Sequence, residues 1–208
     1  MRLCVLLLLF SLAGTAIGQE LHAASHVTPS QVGAPPATPL YTNEDLAFLT
    51  HMIVHHQQAI DMAALVPARS HRKEFLTFAR YMAGAQQAEI DQMTALLQVA
   101  ADRGQEPPHH EMAGDPPMHG MLSKAQIAAL EAASGAEFET LWLQGMIRHH
   151  QGALDMALAQ QQREFASQRQ PYGIAGMADD ILTTQRGEIG MMRTWLTRWG
   201  LADPAPDR

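Results

Sequence analysis

A single cysteine, Cys4, stands in the 208 residues, and it lies in a segment read below as cleaved. No disulfide can therefore staple the exported chain, and thioether is the only soft sulfur left to it. Positive charge is also scarce. Fourteen Lys and Arg face twenty-one Asp and Glu, a formal net charge of −7. No basic stripe exists to neutralise phosphates, which excludes a nucleic-acid partner. Long apolar runs are missing as well: the longest, Leu3 to Leu12, is too short to span a bilayer. Aromatics make up only 6% of the chain, and no convincing strand alternation occurs. What is plentiful is methionine, thirteen residues, and histidine, eleven.

Arg2, the apolar run after it and the small residues Ala13 to Gly18 have the layout of a secretory signal peptide over residues 1–18. Cleavage after Gly18, with Ala16 at the minus-three position, removes Cys4, and Cys4 lies too near the start of the run to serve as a lipoprotein anchor. The chain is therefore expected to be periplasmic or secreted, with no membrane span in its mature form. About 190 residues remain, enough for one domain with a real core. Residues 19–40 are small, polar and Pro-rich, a flexible tether. Residues 41–200 form the folded domain, and 201–208 a tail.

The domain is organised around a near-duplicate. Met52-Ile53-Val54-His55-His56-Gln57-Gln58-Ala59-Ile60-Asp61-Met62-Ala63 returns as Met146-Ile147-Arg148-His149-His150-Gln151-Gly152-Ala153-Leu154-Asp155-Met156-Ala157. A second pair of matching segments, Gln86 to Met93 and Gln185 to Met192, follows each copy. Helical periodicity predicts a first helix from Thr42-Asn43-Glu44-Asp45 to Val66, ended by Pro67, and a second capped by Ser70 and closed by Gly104. Capping boxes at Ser123-Lys124-Ala125-Gln126 and Ser134-Gly135-Ala136-Glu137 start a short helix and the long third helix. The third fades near Phe165, and Pro171 starts a fourth that runs to Trp199. Two copies of a helical hairpin in an all-α chain predict a four-helix bundle, whose metal sites are built from facing helices.

At roughly 100° per residue, Met52, His55, Ala59 and Met62 share one side of the first helix, with His56 beside Met52. Met146, His149, His150 and Met156 repeat the picture, while Asp61 and Asp155 point away. A Met and His donor set favours Cu(I) or Ag(I) over calcium or magnesium. Met82, Met93, Met156 and Met192 serve equally well as core filler. The segment Gly104 to Met121 is different: His109, His110, Met112, Met118, His119 and Met121 lie among prolines and glycines, where no packed core accounts for them, and are candidate soft-metal donors. Glu89 and Glu188 are the inward carboxylates of the other two helices. A ferritin-like di-metal site needs Glu-x-x-His on two helices, and Met52, Ile53, Met146 and Ile147 occupy the positions three before the histidines. The two glutamates are thus expected to bond to histidine or to a neighbouring helix. His150 and Glu188 should lie level in their hairpin, whereas Met82 or Gln86 should come nearer than Glu89 to the first histidine pair.

With Met-Ile-x-His-His-x-x-Ala-x-Asp-Met-Ala twice, Gln-x-x-Glu-Ile-x-x-Met twice and Ser134-Gly135-Ala136-Glu137-Phe138 before the third helix, the chain resembles the DUF305 family, a domain of unknown function, from Tyr41 to about Trp199. The resemblance implies a ferritin-like four-helix bundle of exported bacterial proteins, one characterised member of which binds copper in the periplasm. Carried over residue by residue, the pattern covers Met52, His55, His56, Met62, Glu89 and Met93, then Met146, His149, His150, Met156, Glu188 and Met192. The expected function is non-enzymatic binding of Cu(I), Cu(II) or silver for sequestration, transfer or resistance, the partners being the ion and copper-handling proteins of the same compartment. Two alternatives stand beside it: a ferritin-like redox enzyme with a His/Glu centre, and a structural bundle that docks a partner.

Overall fold

Thr42 opens the first helix by accepting a hydrogen bond from the Asp45 amide (3.1 Å), while Asp45 Oδ2 accepts one from the Thr42 amide (2.8 Å). This closed capping box satisfies two orphan donors and sets a carboxylate against the positive helix end. The computed structural model describes residues 39–108 and 118–201, all within one unit spanning Thr38–Arg208. The signal peptide and most of the tether lie outside the described residues, as does the tail beyond Leu201.

Six helices and no strand occur among the described residues: α1 Asn43–Ala64, α2 Val66–Arg69, α3 Lys73–Ala101, α4 Lys124–Ala132, α5 Gly135–Ser167 and α6 Ile174–Arg198. Pro67 does not reverse the chain. It sits in the first turn of α2, where a missing N–H costs nothing, so the rod continues one turn further and reverses over residues 70–72. Ser70 does not cap the start of α3 either; it closes α2, its amide donating to the Val66 carbonyl. Its hydroxyl donates to Glu139 Oε1 (2.7 Å), and α3 begins after Arg72 with no side-chain cap. The box at Ser123 forms as read, with Gln126 reaching back to the Ser123 amide (2.9 Å). The one at Ser134 does not, since that side chain makes no cap bond. Helix α5 ends at Gln168 in the left-handed region (φ 53°), and Pro171 precedes α6, which begins after Gly173 (φ 76°).

The direction of each neighbour follows from contacts along the rods. Asp45 accepts from Gln160 (2.8 Å), the His55 and His149 rings lie 3.8 Å apart, and Met62 O accepts from Trp142 Nε1 (2.9 Å). Advancing along α1 thus means retreating along α5. Helices α3 and α6 are related the same way, with Phe78 against Trp195 (5.1 Å) at one end and Leu96 against Gly173 at the other. Each hairpin is antiparallel by construction, so all four long helices have antiparallel neighbours. The connection from α3 must then climb the full length of the bundle to reach α5: it leaves beside Tyr41, whose carbonyl accepts from Gln105 (2.7 Å), and arrives beside the end of α1. One long crossover of this kind is the ferritin-like arrangement. An aromatic cluster of Phe75, Phe78, Phe138, Trp142, Trp195 and Trp199 packs the end where α5 starts.

Candidate metal centre

Midway along the bundle the apolar core is interrupted by a polar layer. His55, His56, His149 and His150 are all buried, since each falls on the same helical stripe as the buried Met52 or Met146. His56 Nε2 donates to Glu89 Oε2 (2.6 Å) and His150 Nε2 to Glu188 Oε2 (2.7 Å). The two hairpins therefore make the same His–Glu pair. That corrects the expected register in the first hairpin, where Met82 or Gln86 was to lie nearest, and the reason is the extra turn of α2 after Pro67. The other two rings bridge the hairpins. His149 Nε2 donates to the His55 carbonyl (2.9 Å), and His55 Nε2 to the His119 carbonyl (3.0 Å).

Each acceptor is an oxygen without a proton, so each ring carries its hydrogen on Nε2, and in the neutral imidazole Nδ1 is then a bare lone pair. All four Nδ1 atoms are buried and have no hydrogen-bond partner. Burial, with the neighbouring His56 ring adding to it, lowers the His55 pKa to about 3. Burial, followed by the adjacent His55 ring, lowers that of His149 well below the ordinary imidazole value. Anchoring one ring nitrogen on a carboxylate or carbonyl while the other stays free and neutral is the outer arrangement that orients metal-ligating histidines. Copper and silver fit this set: imidazole nitrogens held for coordination, with the thioethers of Met52 and Met146 one helical turn away and equally buried.

The remaining orphan atoms belong to α3 and α6. Besides the four Nδ1 atoms, the buried side-chain atoms without a partner among the described residues are Gln86 Oε1, both amide atoms of Gln185, and Glu188 Oε1. Neither glutamine was read as a site residue from the sequence, although Gln86 was expected near the first histidine pair and the repeated Gln-x-x-Glu places each one turn before its glutamate.

A second feature missed is one of the three positions where the two histidine repeats differ, Gln58 in one copy and Gly152 in the other. Gln58 grips Leu122 from both sides, donating to its carbonyl (3.0 Å) and accepting from its amide (2.7 Å). A Cβ on Gly152 would sit 1.8 Å from the His119 carbonyl oxygen, and one on Gly120 would sit 2.3 Å from Arg148 O. The end of the crossover is thus a strap pressed across α1 and α5 at the level of the histidines. Packing therefore does account for part of the Met/His segment: Met118 and Met121 are half-buried, while His119 exposes its ring and offers its carbonyl. His109, His110 and Met112 lie outside the described residues. Met62, Met93 and Met192 are fully buried, but Met156 is only half-buried and lies at the core's edge. Asp61 and Asp155 are exposed and accept from Gln57 and Gln151 one turn earlier. Among the described residues no three His, Asp or Glu side chains converge as a metal-holding group, so a site here has to include sulfur or amide oxygen, or have few ligands.

The family model described as a domain of unknown function, DUF305, matches residues 45–170. Solved structures resemble the chain over most of its length. A DUF305 fragment from Deinococcus radiodurans is 35% identical, with a TM-score of 0.64, covering 79% of this chain and 99% of its own. A secreted DUF305 protein from Streptomyces coelicolor is 26% identical, with a TM-score of 0.66, covering 79% and 98%. CopM in its Cu(II)-bound form is 28% identical, with a TM-score of 0.60, covering 74% and 97%. CopM structures with Cu(I) and with silver also match. No curated protein matches.

Proposed function

The chain belongs to the DUF305 family, and on that premise we propose that it is an exported, non-enzymatic binder of copper and silver, holding Cu(I) or Ag(I) for sequestration or transfer. One observation carries the reading: four buried imidazoles each spend Nε2 on an oxygen acceptor and keep Nδ1 free. Leaving four such atoms without partners in a packed core is costly unless something binds them. Met52 and Met146 supply the soft sulfur that favours monovalent copper and silver. The CopM structures with these ions bound support the choice of metal. Glu89 and Glu188 are engaged on the histidines and orient them, which favours binding over di-metal redox chemistry. Export rests on the signal-peptide pattern, and the Streptomyces relative is described as secreted. No described helix is long and apolar enough to cross a membrane.

Anaerobic competition titration of the purified protein tests this. Ag(I) and Cu(I) are expected to bind more tightly than Zn(II), because thioether rewards soft ions. Tight zinc binding with no measurable silver affinity would overturn the reading.

A further inference from the structure

The two hairpins repeat their inward residues and differ on the outside. Gln86, Glu89, Ile90 and Met93 of α3 return in α6 as Gln185, Glu188, Ile189 and Met192, whereas Gln87, Asp91 and Thr94 are replaced by Arg186, Gly190 and Arg193. In α3, Gln87 donates to Asp91 (2.9 Å). In α6 that acid is gone, and neither arginine has an ion-pair partner among the described residues. From Ile181 to Arg198 every exposed charge is positive, Arg186, Arg193 and Arg198, because Glu188 is buried against His150. In a chain of net charge −7 this is a local reversal of sign. The two arginines border an open groove of about 350 Å³ between α5 and α6. Its floor is apolar: Leu154 and Ile189 are buried, and Leu158 is 42% exposed. The acid in its lining, Asp155, is already engaged, accepting from Gln151 (3.2 Å) and facing His119 Nδ1 (3.9 Å).

We propose that this groove docks an acidic segment of a partner protein, whose carboxylates pair with Arg186 and Arg193 while an apolar side chain between them seats on Leu154, Leu158 and Ile189. Arg186 and Arg193 share one face of α6, seven residues or about 10.5 Å apart along the axis. One small anion cannot bridge that distance. Three residues of extended chain span about 10 Å, so two acids in the pattern Glu-x-x-Glu match the arginines, each guanidinium taking a carboxylate in its planar fork. Gly190 lies between them, where a Cβ would meet no atom of this chain within 4 Å. The fold itself does not require glycine there, and its bare backbone admits a close neighbour from outside. An anionic membrane would be repelled by the rest of the chain and could not enter a recessed groove, whereas an acidic segment meets both the charge and the apolar floor. This docking stands apart from the metal reading, since none of its residues belongs to the histidine layer.

The probe is a short acetylated peptide carrying Glu-Leu-Leu-Glu, with Gln-Leu-Leu-Gln as its control, titrated into the isotope-labelled full chain and followed by amide chemical shifts. The acidic peptide should move the amides of Leu158, Gly187 and Gly190, weaken with added salt, and bind about fivefold or more tightly than the control. Arg186→Gln/Arg193→Thr, which installs the residues of the first hairpin, should lose that advantage, and Gly190→Asp should abolish binding by placing an acid between the arginines. These positions are exposed, so the melting temperature of each variant should match that of the parent. Equal binding of the two peptides to the parent protein overturns the proposal, and decides the matter even where a variant fails to fold. Shifts clustered on another face overturn it as well. Binding to phosphatidylserine vesicles with no binding of the peptide would replace the partner protein by a membrane, and a dimer in sedimentation that the double arginine variant dissolves would replace it by a second copy of this chain.

Discussion

Burial decides what each histidine can do. For His55 and His149, whose Nε2 atoms are tied to carbonyls, burial favours the neutral ring, which is the form a metal needs. The consequence for stability is directional. The His55 pKa is lowered to about 3 from an unfolded value of 6.5, and that of His149 is also lowered. Between those two values the unfolded chain binds protons that the folded chain refuses. Stability is therefore fully present above pH 6.5 and is lost as pH falls from there toward 3, by at most about 1.4 kcal/mol per pH unit for each such ring. Denaturant melts of metal-free protein at pH 7.5 and 5 should show this loss, and a His55→Gln variant should show less of it. A flat profile across that range would mean that the rings are solvated. The inward placement of all four histidines followed from a 3.6-residue stripe of apolar neighbours. Of their Nε2 partners the glutamates were legible, Glu188 level with His150 as read and Glu89 against the expected register; the carbonyls of His119 and His55 were not, because the crossover and the opposite hairpin bring them in.

The crossover is the element whose role changed most between sequence and structure. Its described residues 104–108 and 118–121 are non-helical, as its prolines and glycines marked them, but nothing local showed that residues 118–122 dock on two helices. The clue was the break in the repeat, Gln58 in one copy and Gly152 in the other, and its meaning depends on which backbone lies against it. Ser70 failed to cap α3 for a related reason: a local capping pattern carries no information about a distant competitor such as Glu139, which takes the Ser70 hydroxyl; nothing in the structure explains the open box at Ser134. Gly152→Ala tests the strap. Mid-helix, Ala should stabilise by about 1 kcal/mol, but here its Cβ would meet the His119 carbonyl oxygen at 1.8 Å, a backbone atom that cannot rotate aside. The expected result is net destabilisation by about 1–3 kcal/mol and new protease cleavage within residues 118–122. A more stable, uncleaved variant would refute the docking. A companion variant, Met112→Leu/Met118→Leu/Met121→Leu, keeps bulk and removes sulfur. Its stability should stay within about 1 kcal/mol of the parent while Ag(I) capacity drops in titration, and full capacity would reduce the segment to a connection.

At the scale of the whole molecule, the internal duplication made the four-rod bundle readable from periodicity alone, since each hairpin shows one apolar stripe per helix and needs the other to cover it. The directions of the rods were not readable, because a connection of this length permits either sense. They emerge from pairs far apart in sequence, such as Asp45 with Gln160 and Met62 with Trp142. The same packing means that the two histidine pairs are not independent sites. The His149 and His55 rings lie against one another, 3.8 Å apart and tilted by 37°, so removing one pair takes away a ring that the other packs against, while the backbone carbonyls that anchor them stay. His149→Ala/His150→Ala should therefore lower bound Ag(I) by more than half. It should also lose a few kcal/mol of stability, because two buried rings leave a cavity and Glu188 keeps an acceptor without its donor. The reciprocal variant His55→Ala/His56→Ala should do the same. The quadruple variant should then differ from the sum of the two by more than about 0.5 kcal/mol in denaturant melts. Halved metal in each double variant, with additive stabilities in the quadruple, would instead establish two separate hairpin sites and remove the shared centre.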